Sequence, residues 1–194
     1  KALEGPARPA GMRAATLDVS KAIRVTPDVV VLPGAWGVTL VRQADGIVVL
    51  EAPIGSAYSA QVIDAASKIF PVMAIKAVVT TSDAWPHLGG VREYVARGLP
   101  VYGRDLNLPI LERLVAARYT APDRLAKDPQ PPSWITVSGT TTIGDGATRI
   151  NLIPVRGEGS ERMMAAYLPG LNLLYASDLL QYNRDRTSFF NPVY

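Results

Sequence analysis

The chain contains a single histidine, His87, in the stretch "TTSDAWPHLGG" over residues 80–90. A Thr-Thr strand end runs into a short polar loop, and His-Leu-Gly-Gly then opens a helix. An imidazole near neutral pH can ligate a metal, shuttle a proton or hold a hydrogen bond. Carboxylates that could share such work stand in loops able to converge on it: Asp83 in the same stretch, Glu158 and Glu161 in "RGEGSE", and Asp178 at the end of the apolar strand "LNLLYASD". A carboxylate-rich set of this kind suits a hard divalent cation. Each residue also has a plainer reading. Pro86 fits the first helical position, and the residue before it, Trp85, is pushed toward extended geometry, so His87 can be a hydrogen-bonding helix-start residue. Asp178 at the end of an apolar strand cannot be buried alone, and His87, a backbone N–H cluster or Arg156 could partner it. Ser160 lacks the Gly-x-Ser-x-Gly frame of a nucleophile elbow, since Gly157 and Gly159 do not flank it that way. "GTTTIGDGAT" lacks the lysine and following helix of a phosphate loop and reads as a hairpin.

The elements that must position these residues follow from periodicity. "KALEGPARPAGMRAATLDVS" has neither a strand nor a helix period, and residues 1–28 are expected to form an extended arm. From Val29 onward, "VVVLPG", "GVTLVRQ" and "GIVVLEAP" predict a meander of antiparallel strands, the last two joined at Ala44–Gly46. "AYSAQVIDAASKIF" places Val62, Ile63, Ala66, Ile69 and Phe70 on one helical face, and "IKAVVTT" follows as a buried strand. A helix ending at Gly98, a strand at "LPVYG" and a helix with Ile110, Leu111, Leu114 and Val115 inward complete a first half over 29–119. "TAPDRLAKDPQPPS" carries four prolines in fourteen residues and predicts a linker over 120–133 that is no part of the core. The second half, 134–194, returns to short strands, with "YLPG" turning between two of them. "QYNRDRTSFFNPVY" shows no closing strand and helix, so the domain is expected to be C-terminally incomplete.

Composition narrows the class. With 194 residues, 48% hydrophobic and 19% charged, the chain suits one globular domain. The net charge of +3 is spread over single Lys and Arg residues, with no basic stripe of the kind nucleic acid requires. No apolar run reaches the roughly 18 residues of a spanning helix, so neither nucleic acid nor membrane is an expected partner. The absence of cysteine excludes disulfides, thiolate metal ligands and a cysteine nucleophile, and fits a cytoplasmic protein or a periplasmic or secreted one. A chain starting at Lys1 suits removal of a leader.

Two meanders, each followed by strand–helix units, predict an α+β fold, an αββα sandwich of two mixed β-sheets flanked by helices. "VVTTSDAWPHLGGVREYVARG", followed some seventy residues later by "VRGEGSERMMAAYLPGLNLLYASDLL", resembles the metallo-β-lactamase superfamily, in particular its general hydrolase-like branch. There the strand ends in Thr-His-x-His-x-Asp-His, two glycines follow, and a later loop histidine precedes a Tyr-Leu-Pro hairpin and a strand ending in Asp. The resemblance spans about residues 29–180, with Thr80-Thr81, Gly89-Gly90, Tyr167-Leu168-Pro169 and Asp178 on the framework positions. It places the family's zinc-binding side chains on Ser82, Ala84, Pro86, His87, Gly159 and Asp178, and its last histidine beyond Tyr194. Only His87 and Asp178 keep the family's residue type there, so the resemblance implies a degenerate metal site, with Asp83, Trp85 and Glu158 as further binding candidates and the Trp85 indole filling the space of the ions. A zinc site needs three protein ligands and a water, and that water, brought to a pKa near 7, is the nucleophile.

Three functions are therefore expected in turn. The first is a hydrolase homologue without its binuclear zinc, a pseudoenzyme or small-molecule-binding protein that needs no cofactor. The second is a metal-dependent hydrolase of an ester, lactone, thioester or β-lactam, with zinc or another divalent cation at a rearranged mononuclear site built from Asp83, His87, Glu158 and Asp178. The third is a subunit whose open sheet edge is completed by a partner segment or a second copy.

Overall fold

A computed structural model describes residues 15–34, 36–119, 122–157, 159–182 and 188–190. Strands β1 (Ile23–Thr26), β2 (Val29–Leu32), β3 (Val38–Gln43) and β4 (Gly46–Leu50) pair antiparallel in sequence order. Strands β5 (Ile75–Val79), β6 (Val101–Arg104) and β7 (Trp134–Val137) extend the sheet in parallel, giving seven strands. Among the described residues, five α-helical segments occupy the crossovers: α1 (Ser56–Ile69), α2 (Trp85–Leu88), α3 (Val91–Val95), α4 (Leu108–Ala116) and α5 (Arg124–Lys127). A second sheet of β8 (Thr141–Ile143), β9 (Ile150–Pro154), β10 (Met164–Leu168) and β11 (Leu173–Tyr175) is antiparallel throughout, in the order β11-β10-β9-β8. Strands β12 (Leu180–Tyr182) and β13 (Ser188–Phe190) form a separate hairpin.

The period of two along each strand sorts side chains onto the two faces of the first sheet. Val38, Leu40, Ile47, Val49 and Val78 face the helices and pack with Tyr58, Val62, Ala66, Val91, Tyr94 and Leu111. Val41, Val48, Leu50, Val79 and Val137 face the second sheet and meet Ile150, Leu152, Met164, Ala166 and Leu168. A sheet buried on both faces explains why its central strands read as unbroken apolar runs. The α+β sandwich expected from the pattern is therefore present, although its second sheet is antiparallel and not mixed.

Several boundaries move. Residues 1–14 of the expected arm lie outside the described residues, but Ile23–Thr26 is a strand, and Leu17 and Val19 pack against the core. The sheet thus begins before Val29, as an edge strand whose Ile23 and Val25 are exposed, which is why no buried pattern marks it. The proline-rich linker contributes α5, capped by Asp123 accepting from Ala126 N at 3.0 Å, and buries Leu125 in the core. Beyond it, β7 joins the first sheet and not the second. In the tail, where no closing strand and helix comparable to those of the first half were expected, β12 pairs with β13 as a hairpin outside both main sheets.

Candidate functional site

Strands β4 and β5 are parallel neighbours, so their C-terminal ends open on the same edge of the sandwich. Glu51 follows β4 and its N–H donates to Val79 O of β5 at 2.8 Å. Thr81 follows β5, its hydroxyl donating to Glu51 Oε1 and its carbonyl accepting from Met164 N of the second sheet at 2.9 Å. The next turn lifts His87 onto α2, started by Pro86. Two backbone bonds staple this helix to the exit of β4: Ala52 N to His87 O at 3.0 Å and Gly90 N to Ala52 O at 2.7 Å. Such closeness requires the glycine pair. A Cβ on Gly89 would stand 2.8 Å from Ile54 O, and one on Gly90 would stand 2.1 Å from Ser59 Oγ.

These elements bring one imidazole between two carboxylates. His87 Nε2 lies 2.8 Å from Asp178 Oδ2 and Nδ1 lies 3.2 Å from Glu51 Oε1. Glu51 is 1% exposed and its backbone is left-handed at φ +82°, a conformation that costs a residue with a Cβ about 1–2 kcal/mol. Strain of this sort persists where the surroundings fix the residue, and here they aim the carboxylate inward. Burial by itself would lower the His87 pKa. The hydrogen bonds to Asp178 and Glu51 and the charges behind them outweigh it, and the pKa is pushed up to about 10. Both ring nitrogens therefore donate, and the group at the mouth of the sandwich is an imidazolium. Tyr175, which ends β11, lies against the same carboxylates. Its phenol is held well above the usual ionisation range by burial first and then by Glu51 and Asp178.

The expected site residues separate. His87 and Asp178 meet directly, settling the partner of Asp178. Asp83 turns toward Arg162 of the second sheet's loop, 3.7 Å from its Nε. Trp85 is 56% exposed, and its Nε1 lies over Gly89, so its indole does not fill the interior. Another indole, Trp36 on the β2–β3 loop, stands 6.4 Å from the His87 ring. Glu158 falls outside the described residues. Ser82 is buried and accepts from Ala84 N at 3.2 Å, and Ser160 closes its own turn on Gly157 O at 3.2 Å. Glu161 is exposed, its carbonyl held by Arg104 Nε at 3.0 Å. Gly159 adopts φ +82°, a conformation that disfavours any larger residue at that loop position.

Glu51 was not anticipated from the sequence. The available signal was topological: a carboxylate directly after a wholly apolar strand, whose parallel neighbour ends in Thr80-Thr81.

A zinc ion does not fit this donor set as it stands. The ring of His87 separates the two carboxylates, so the three groups do not converge on a point, and each imidazole nitrogen already faces an oxygen. Among the described residues, no group of three or more His, Asp or Glu side chains is arranged to hold a metal.

Two facing sheets, helices behind the first and a polar cluster at the strand ends are the metallo-β-lactamase fold, and the chain has that fold. It is similar to a metallo-β-lactamase from Pontibacter korlensis, with a TM-score of 0.65 and 16% identity over 87% of this chain and 74% of that one. A metallo-β-lactamase from Hirschia baltica gives 0.62 and 12% identity over 88% and 74%. One from Erythrobacter litoralis, solved with β-mercaptoethanol in its active site, gives 0.62 and 11% over 83% and 71%. No protein-family model and no curated protein matches the sequence. At such identities the likeness is one of fold.

Proposed function

We propose that this protein is a metallo-β-lactamase-fold pseudoenzyme, a small-molecule-binding protein in which a Glu51–His87–Asp178 link stands where the fold would otherwise hold a metal centre. The observation that carries this reading is the engagement of both His87 nitrogens by carboxylates. A hydrolytic zinc needs three converging ligands and an open fourth position for water. Ala84, Pro86 and Gly159 have no side-chain donor to offer, Ser82 accepts from Ala84 N within its own turn, and freeing His87 would leave the buried Glu51 carboxylate without its cation. The buried imidazolium supplies the positive charge those carboxylates require. Trp36, 41% exposed beside the His87 ring, offers an aromatic face for a small ligand at the mouth of the cleft.

A rearranged mononuclear hydrolase gains no comparable support, because Asp83 is directed to Arg162. The test is elemental analysis of protein purified without chelator, run beside ester and β-lactam turnover. Well under one equivalent of zinc, iron or manganese and no chelator-sensitive turnover is the expected result. One equivalent or more, with turnover abolished by chelator, overturns the proposal. A role in assembly is a second reading, favoured by edge strand β1 with its exposed Ile23 and Val25. A solution mass of one chain at all concentrations would remove it.

A further inference from the structure

Behind the first sheet, on the side away from His87, a cavity of about 540 Å³ lies between the end of α4 and residues 125–130. We propose that it is a second binding site, for a small amphipathic carboxylate whose anionic head is held at Arg118 while its apolar body rests on Val115, Leu125 and Pro129. The volume falls within the range of small-molecule sites, and apolar walls with a few convergent polar groups are their usual construction.

Charge decides the class of ligand. The cavity is lined by Arg92 and Arg118, with Tyr119 and Gln130 as the other polar residues and no carboxylate among the described lining. The C-terminal end of a helix ordinarily repels an anion. Here the carbonyls of Leu114, Val115 and Ala117 all accept from Arg92 Nη1, two of them at 3.1 Å, so that negative pole is already answered. Asp123 takes both remaining arms of Arg92 at 2.6 and 2.8 Å. Arg118 makes no ion pair among the described residues, so its guanidinium is the charge left over. Tyr119 is half exposed and stacks on Arg92 with the guanidinium carbon 5.0 Å from the ring centroid. This stacking gives the cavity an aromatic wall. A planar carboxylate can take two parallel N–H bonds from Arg118, a geometry that a lysine could not offer.

The experiment uses the full chain and 2-naphthoate as probe, with neutral 2-naphthalenemethanol and cationic 2-naphthylmethylammonium for comparison, measured by calorimetry and probe fluorescence. Saturable binding of one naphthoate per chain is expected, about two- to fivefold tighter than the neutral probe, as one ion pair at the exposed Arg118 implies. Arg118→Glu should remove that preference, and Ala116→Trp, from an exposed lining position, should block all three probes. Trp36→Ala at the other cleft should leave naphthoate binding unchanged. Absence of saturable binding, equal affinity for neutral and anionic probes, or loss with Trp36→Ala but not with Arg118→Glu overturns the proposal. Arg118→Gln is the second variant should Arg118→Glu fail to fold. None of these outcomes depends on whether the His87 cleft binds a metal.

Discussion

On the helical side of the first sheet, Arg92 meets Asp123 through two parallel N–H bonds and spends its third arm on the last carbonyls of α4. At the mouth of the sandwich, His87 meets Asp178 on one side and Glu51 on the other. Both are buried cations held by carboxylates, and they differ in what keeps the charge. A guanidinium is charged at every pH a protein survives, and Asp123, with its pKa held at about 2 chiefly by Arg92 and Ser56 hydroxyl and backbone contacts against burial, is ionised throughout. Its backbone is relaxed, and it caps α5 as well. The imidazolium exists only while its two neighbours hold its proton, and one of them sits on a left-handed residue. The first cluster is a fixed fastening of the linker to the helices, and the second is conditional on protonation.

Removing the fixed fastening gives the largest effect. Arg92→Ala leaves Asp123 and three carbonyls without their donor, and breaking a buried pair from one side costs about 3–5 kcal/mol. For a chain of this size that is a fall in Tm of roughly 6–20 °C, measurable by calorimetry. Arg92→Lys, which keeps the charge and loses the fork, should fall between this and the wild type. If Arg92→Ala were to cost less than Ile63→Ala, a partly buried core position, the cluster would not be the fastening described.

Proton dependence separates the two clusters next. The folded His87 pKa is about 10 against an ordinary 6.5, so between those values the folded chain holds a proton that the unfolded chain has lost. The stability from this group is complete below about pH 6.5 and is lost as pH rises through about 10, with a slope of at most about 1.4 kcal/mol per pH unit. Denaturant midpoints across that window should decline more steeply in the wild type than in His87→Gln, which isolates the contribution from lysines and tyrosines titrating nearby. Equal slopes would mean that His87 is neutral. The Arg92–Asp123 contribution has the opposite sign: it is present above the ordinary carboxylate range near 3.8 and is lost only as pH falls toward 2.

A smaller effect is expected at Gly159, where the resemblance places a loop histidine. Gly159 has φ +82°, so Gly159→Ala should cost about 1–2 kcal/mol through backbone strain alone, and Gly159→His should cost no less. Reinstating histidines at 82, 84 and 159 with Asp at 86 should therefore yield a destabilised chain that binds zinc weakly by calorimetry. Tight stoichiometric zinc in that variant would show that the Glu51 link yields readily to a metal.

The β-branched runs, the period of two and the helix faces around Val62 and Leu111 made the sandwich legible, and an apolar strand that ends in a carboxylate showed that Asp178 needs a partner, with His87 one of three candidates. What was not legible depended on which element lies beside which. β7 reads like any strand of the second half, yet the crossover through α4 and α5 places it parallel to β6. Glu51 is an ordinary acid in the sequence and becomes the second arm of the clamp only because β4 and β5 run side by side. Asp123, inside a proline-rich segment, gave no sign that it would meet an arginine 31 residues away.

The two exposed tryptophans give the smallest expected change in stability and the sharpest local assignment. The Trp36 ring lies 6.4 Å from that of His87 at an interplanar angle of 45°, close enough for its ring current to shift the imidazole's proton resonances. Trp85 is nearer in sequence, but its indole lies over Gly89 in solvent. Both substitutions to alanine, being at exposed positions, should change stability by about 0.5 kcal/mol or less. Trp36→Ala should move the His87 Hε1 and Hδ2 resonances while Trp85→Ala leaves them nearly in place. The reverse pattern would put Trp85 over the clamp after all, and the cleft's aromatic wall would have to be assigned to α2 instead of the β2–β3 loop.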